Sequence, residues 1–309
     1  MIDMCLLQQK GKSFYVITCV NNPKVRELAL SQESQPGTHS TPNEIAKQIP
    51  GCSSSSVQRI IKLDLRLKPL KPVKVQRLTA KNEVQRLACA KRLLRNLTAA
   101  KLRKTFFSDE KIFKVIQVYN SQNDRFYVPE DTAKCDVDIR RLIREKTAFP
   151  VQFMVSAAVS KLGKTNMVFI PKGLRMDSQE YQDKVLDKLV PDMRRLSGND
   201  YIFQQDGARC HTSASTLSYL DQSVREYLAP EDWPPNSCDL NPLDYFIWSR
   251  LESAVYRVKI TSIEQLKKRV RKCWRELDQR EVDRAIDGFR KRLKAVVAEN
   301  GGHIIKFKL

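Results

Sequence analysis

Phe106-Phe107-Ser108-Asp109-Glu110-Lys111-Ile112-Phe113 (FFSDEKIF) is short, apolar at both ends and rich in strand-favouring residues, yet it holds a carboxylate in its middle. A charge inside an apolar strand is costly unless it is paired or faces a cation. Asp109 is therefore either on the solvated face of an edge strand or a working carboxylate. The chain on either side of it changes character. Downstream, Lys114–Asn120 and Arg125–Val128 read as further strands, and Val151–Ser160 with Asn166–Ile170 reads as a hairpin around Gly163. Ser178–Leu196 is helical in pattern. Tyr201–Gln205 is a strand that ends at Asp206-Gly207, and His211–Leu220 is a helix. A Pro-rich turn precedes a helix at Leu243–Tyr256, and Ile263–Asp278 and Glu281–Val297 form a basic helical end. Strands first, then strand and helix in alternation, predict an α/β fold with a mixed sheet in layers.

Upstream the chain is basic. Of 309 residues, 55 are Lys or Arg and 35 are Asp or Glu, a net charge of +20. Residues 1–104 carry +14 of it, and from Arg59 to Lys104 only Asp64 and Glu83 oppose 15 basic residues. A basic front on a near-balanced back predicts a polyanion-binding module joined to a second domain. Thr41-Pro42-Asn43-Glu44 is a helix start with Pro at the first position and Glu at the third. Ile45, Ala46 and Ile49 form its apolar face, and Pro50-Gly51 ends it. Ser53–Ser56 caps a second helix with Val57, Ile60 and Ile61 on one face. Two short helices across a tight turn describe a helix-turn-helix at 41–63, whose second helix offers Ser54, Ser55, Gln58 and Arg59 to a DNA groove. An ordinary helical hairpin has the same pattern; the basic run that follows favours DNA. Residues 64–79 alternate basic and apolar residues around Pro69 and Pro72, which suits an extended segment along phosphates, with Lys62, Arg66, Lys68, Lys71, Lys74 and Arg77 as contacts. The same run suits a nuclear localisation signal. Residues 80–104 read as a basic amphipathic helix with Val84, Leu87, Leu94 and Leu97 toward a core. Four segments result: 1–40, with no firm assignment beyond a short helix at Lys24–Ser34; 41–63, the helix-turn-helix; 64–104, a basic linker and helix; and 105–309, the α/β domain.

Several classes are excluded. Hydrophobic residues at 41% and charged residues at 29% exclude wholesale disorder. No apolar run reaches the ~20 residues of a membrane helix, and no signal peptide is read at the start. The eight cysteines and three histidines show no zinc spacing. No Walker loop or GxGxxG points to a nucleotide enzyme.

Three carboxylates remain. Asp109 lies inside its strand, Asp206 closes one, and Asp244 falls at the third position of a helix that Asn241 caps and Pro242 begins. Each has an ordinary reading: a solvated strand face, an Asp-Gly turn, a helix-dipole carboxylate. Together they can converge at one sheet edge, where three carboxylates cannot all stay ionised without cations. Mg²⁺ takes oxygen ligands and leaves room for water and phosphate. Two such ions about 4 Å apart serve phosphodiester cleavage.

These blocks resemble those of the mariner-type transposases. FFSDEKIF is similar to the family's first catalytic block and YIFQQDGARCHTS to its second, and WPPNSCDLNPLDYFIW is similar to its third. The resemblance spans about residues 24–309 and extends to VYNSQNDRFYV, GKTNMVFIPKG and KRLKAVVAENGGH. It implies Asp109, Asp206 and Asp244 as the acidic triad, with 37 residues between the second and third. It implies a ribonuclease H-like catalytic fold behind a small all-α helix-turn-helix domain, and two Mg²⁺ ions for which Mn²⁺ can substitute. The implied substrate is double-stranded DNA at terminal inverted repeats, with a TA target, a homodimeric synapse and work in the nucleus. Asp239 matches a non-catalytic position and reads as a turn or cap residue. The sequence departs from the pattern at Ser156 and Ala158, where Trp and Gly are usual, at Cys238, where Pro is usual, and in having one recognisable helix-turn-helix rather than two. The alternative expectation is a DNA-binding protein derived from a transposase, without its catalysis.

Overall fold

The computed structural model describes residues 21–31, 40–70, 75–115, 128–142, 150–170 and 176–304. The chain divides into two compact units, Met1–Lys74 and Val75–Leu309.

In the first unit three helices close on a small apolar core. They are α1 (Asn21–Leu30), α2 (Pro42–Gln48) and α3 (Ser54–Arg59), the last continued by a π turn at Ile60–Asp64. Thr41 and Glu44 form a reciprocal capping box at the start of α2, and the Ser53 hydroxyl accepts from the Ser56 amide at the start of α3. Gly51 takes the left-handed conformation (φ 73°) that the tight turn between α2 and α3 needs. Val25, Ile45, Ile49, Val57 and Ile60 fill the core. The helix expected at Lys24–Ser34 starts earlier, and residues 32–34 lie outside the described residues, as do most of residues 1–22.

The second unit opens with α4 (Ala80–Asn96) and α5 (Ala99–Arg103). Its sheet comprises β1 (Thr105–Lys114), β2 (Gln152–Ser160), β3 (Gly163–Lys164), β4 (Val168–Ile170) and β5 (Ile202–Gln204). The strand order is β3-β2-β1-β5, with β4 also on β2. β1 is antiparallel to β2 and parallel to β5, and an isolated parallel bridge from Phe203 to Tyr227 extends the sheet beyond β5. Strand β1 is central where β5 pairs it, at Thr105–Phe107; Asp109 pairs with Ala157 of β2 alone, and its carboxyl is largely buried rather than solvated. The expected strand at Lys114–Asn120 coincides with β1 only at Lys114, and Val128, at the end of Arg125–Val128, is outside any strand; residues 116–127 lie outside the described residues.

The remaining helices are α6 (Ile139–Leu142), α7 (Ser178–Tyr181), α8 (Asp187–Ser197), α9 (Ala214–Ser223), α10 (Trp248–Val255), α11 (Ile263–Glu276) and α12 (Gln279–Ala298). All but α6, whose Ile139 and Leu142 are exposed, cover the two faces. Strand alternation sends Phe107 and Phe113 into a core shared with α4, α10, α11 and α12, while Phe106 and Phe203 enter a second core with α7, α8 and α9.

Helix α4 corrects the sequence reading. It packs on α12 through Cys89, Ala90 and Leu93, and belongs to the second unit rather than to a linker. Val84, expected toward a core, is 70% exposed, because the buried face turns on Arg86 instead. Arg86 is fully buried. It donates to Gly301 O at 2.9 Å, Asn236 O at 3.2 Å and Ser237 Oγ at 2.6 Å, and its two terminal nitrogens grip Asp239 at 3.2 and 2.8 Å. Asp239 is therefore the counterion of a buried arginine, more than a turn residue. Gly301, in a left-handed conformation (φ 89°), lies so close to α4 that a Cβ there would sit 2.0 Å from Glu83 O.

Candidate active site

Asp109 sits at the middle of β1, on the face that carries Phe107 and Phe113. Asp244 lies in the π turn Leu243–Ile247 that leads into α10. Asn241 caps this turn by accepting from the Leu243 amide at 3.1 Å, and its Nδ2 donates to Ser108 O at 2.9 Å. One side chain thereby fastens the third block to the first. Pro242 is the first helical residue (φ -55°, ψ -32°) behind the Asn241 cap, as the sequence predicts.

Asp109 and Asp244 meet. Trp248 Nε1, one helical turn past Asp244, donates to Asp109 Oδ2 at 2.5 Å. Burial, with the charges of Asp244 and Glu110, pushes Asp109 up to about 8. Burial likewise pushes Asp244 up to about 6, although a hydrogen bond from Asp109 opposes it. The pair holds a proton between two carboxyls that cannot both ionise freely.

Asp206 lies two residues past the end of β5, 48% exposed at its side chain. His211 Nδ1 contacts its Oδ1 at 2.6 Å, and the Ala208 amide donates to the same oxygen. Burial alone would raise Asp206; the His211 hydrogen bond and charge outweigh it and hold the carboxyl below its ordinary range. His211 is buried, which disfavours its charge, yet hydrogen bonds with Asp206 and Cys210 and the charge of the nearby Glu110 raise it to about 10. It is an imidazolium. Its Nε2 lies 3.7 Å from Glu110 Oε2, its ring centroid is 4.1 Å from that of Tyr181, and its carbonyl accepts from Gln205 Nε2. Ser156 donates to Glu110 at 2.8 Å, which gives a role to one of the unusual positions of β2. Helix α9 begins at Ala214 behind an Ser213 cap, so His211 precedes the helix it was expected to open.

The donors suit a hard divalent cation: they are carboxylate oxygens, and two of them hold a proton for want of positive charge. Gln204, fully buried two residues before Asp206, has a carboxamide with no hydrogen-bond partner. Among the described residues, however, no three His, Cys, Asp or Glu side chains close round one point. Asp109 and Asp244 are paired, and Asp206 is engaged by His211 instead.

The DNA-facing candidates divide. In the first unit Ser55, Gln58, Arg59 and Lys62 are exposed on one stripe, opposite the buried Val57 and Ile60; Ser54 is half-buried. Arg66 and Lys68 are exposed beyond the helix. Lys71 and Lys74 lie outside the described residues. Arg77 is exposed in the second unit, where its carbonyl accepts from Asn236 Nδ2. Trp248, Glu110 and Arg86 were not singled out from sequence, Asn241 was read only as a helix cap, and His211 only as the start of a helix. Their partners lie far away along the chain, except that a His five residues after Asp206 was a local signal open to reading.

No protein-family model matches the chain. It is 28% identical over 247 residues to the Tc3 transposase of Caenorhabditis elegans, covering 79% of this chain and 68% of that protein. It is 26% identical over 126 residues to the Tc1 transposase of the same organism, 41% of this chain and 45% of that one. The solved Mos1 transposase paired-end complex with left transposon end superposes with a TM-score of 0.74 at 18% identity, covering 99% of this chain and 84% of that chain. At that identity the likeness shows a common fold: a ribonuclease H-like mixed sheet flanked by helices, behind an N-terminal helical domain.

Proposed function

We propose that this chain is a DNA transposase of the Tc1/mariner type, which binds the terminal inverted repeats of a transposon, cleaves there and joins the freed end to a TA target. The observation that carries the reading is the meeting of Asp109 and Asp244 on the sheet, with Asp206 at the end of the neighbouring parallel strand β5. Similarity along most of the chain to a transposase, and a full-length fold shared with another, support it. In this reading the three carboxylates hold two Mg²⁺ ions, with Mn²⁺ able to replace them. The protein works in the nucleus as a homodimer on two DNA ends.

Each residue's task follows from its surroundings. Asp109 and Asp244 give up their shared proton when positive charge arrives, and Trp248 keeps the Asp109 oxygen in place. His211 orients Asp206, as outer histidines orient carboxylate ligands. Asn241 keeps the turn bearing Asp244 in register with β1. The bound ions supply Lewis acidity that activates an attacking water or 3′-hydroxyl and stabilises the leaving oxygen. In the first unit the α3 stripe reads bases, and Arg59, Lys62, Arg66 and Lys68 neutralise phosphates.

The test is cleavage of a plasmid carrying the inverted repeats that flank the gene, with Mg²⁺ or Mn²⁺, beside Asp206→Asn. Cuts at the repeat ends that vanish in the variant support the reading. Tight, salt-sensitive binding without cuts under either metal replaces it with a non-catalytic DNA-binding protein.

A further inference from the structure

Beside Asp244 the surface opens into a groove of about 370 Å³, between Tyr245–Phe246 and one side of α12. Its rims carry Arg284 and Lys291, both exposed and without an ion pair or hydrogen bond among the described residues. Its wall is fixed. Tyr245 donates from its hydroxyl to Ala285 O, and the Arg292 guanidinium lies 3.8 Å from the Tyr245 ring centroid while donating to Asp239 O at 2.9 Å. Gly288 leaves the middle open: a Cβ there would meet only Tyr245 Oη, at 3.7 Å. Glycine is a poor residue for the middle of a 20-residue helix, so its place at the groove has no helical rationale. The acidic side chains of this helix turn elsewhere, Glu281 to Arg250, Asp287 to Lys161 and Asp283 to Gln279. The groove is thus cationic at its rims and partly apolar in its wall.

We infer that this groove binds the backbone of the DNA strand beside the bond to be cut. The inference rests on the function proposed above. Arg284 and Lys291 are two helical turns apart, about 10 Å. Cations at that spacing reach two different phosphates of one strand. Free cations at the rims neutralise phosphates, and the apolar wall faces sugar. Tyr245 follows Asp244 directly, which sets the groove beside the turn that bears this carboxylate.

The test uses the full chain on a duplex inverted-repeat end with flanking DNA, read by phosphate-interference footprinting and by the salt dependence of binding. The variants are Arg284→Gln/Lys291→Gln and Gly288→Leu, which fills the groove and keeps its charge. The double variant is expected to lose phosphate contacts beside the cut and to lower the slope of log K against log[salt] by about 1.8, the value for two phosphates. Gly288→Leu is expected to lose the same contacts, with contacts over the rest of the repeat unchanged for both and the melting temperature lowered by neither. Unchanged contacts and slope in both variants overturn the inference, as does altered self-association with an intact footprint. Wild-type protein that neither binds nor cuts DNA refutes the function itself, and that is seen before any variant is compared.

Discussion

Arg86→Ala is expected to damage the second unit far more than its charge suggests. The side chain is fully buried and serves Gly301, Asn236, Ser237 and Asp239 at once. Its removal leaves the Asp239 carboxylate, 17% exposed, without its cation and two carbonyls without a donor. Breaking such a buried pair from one side costs about 3–5 kcal/mol. In a domain of this size each kcal/mol lowers the melting temperature by roughly 2–4 °C, so a fall of about 10 °C is expected. The chain's three tryptophans, Trp233, Trp248 and Trp274, all lie in the core shared with α4 and α12, so their fluorescence follows this unit alone. Urea unfolding read by that fluorescence supplies the free energy, and an Asp239→Asn cycle isolates the pair. A coupling above about 1 kcal/mol between the two sites is expected for partners in contact. A loss below about 1 kcal/mol for Arg86→Ala, or additive effects in the double variant, would refute the view of Arg86 as the clasp of this unit.

Metal-free protein should lose stability as pH rises from about 4 to about 8. Across that window the folded state keeps the Asp109 proton that the unfolded chain has released, so the folded state binds more protons. Asp109→Asn should flatten the decline and stabilise the protein at pH 8, and a stability that climbs over the same range contradicts the shared proton. His211→Ala removes the partner of both Asp206 and Glu110 and should lower metal affinity by about 10–100-fold, measured by Mn²⁺ titration; wild-type affinity in the variant would deny His211 any part in orienting Asp206. In the first unit Thr41→Ala and Ser53→Ala each remove a helix cap and should cost about 1 kcal/mol in its own unfolding transition, without moving the tryptophan signal. Gly301→Ala forces a Cβ against Glu83 O and should lower the second unit's melting temperature by several degrees in calorimetry.

Much of this architecture was legible because its signals are local. FFSDEKIF alternates faces within eight residues, Thr41 and Glu44 mark a helix start, and Gly163 marks the turn after β2. The three carboxylates stood in recognisable surroundings. What escaped was long-range. Arg86 counted as one more basic residue in a run that predicts DNA contact, yet its charge is spent inside the protein on groups 150–215 residues away. Trp248 and Asp109 are 139 residues apart, and nothing near either reports the other. Helix α4 was legible as a basic amphipathic helix, but the face it buries was not; only the partner helix α12 reveals which side is covered. His211 read as the first residue of a helix because periodicity alone cannot separate a helical start from a turn held by a carboxylate.

The central place of β1 has a consequence for how the chain is made. This strand emerges early, but its parallel partner β5 and the helices that cover its faces come much later. Between Arg86 and Gly301 lie 215 residues, roughly 10–40 s of synthesis at ~5–20 residues per second. Helices α1 to α3 close on neighbours already made, whereas Phe106 and Phe107 wait with apolar surface on both sides. The core shared by β1, α4 and α12 therefore cannot close until α12 has left the ribosome.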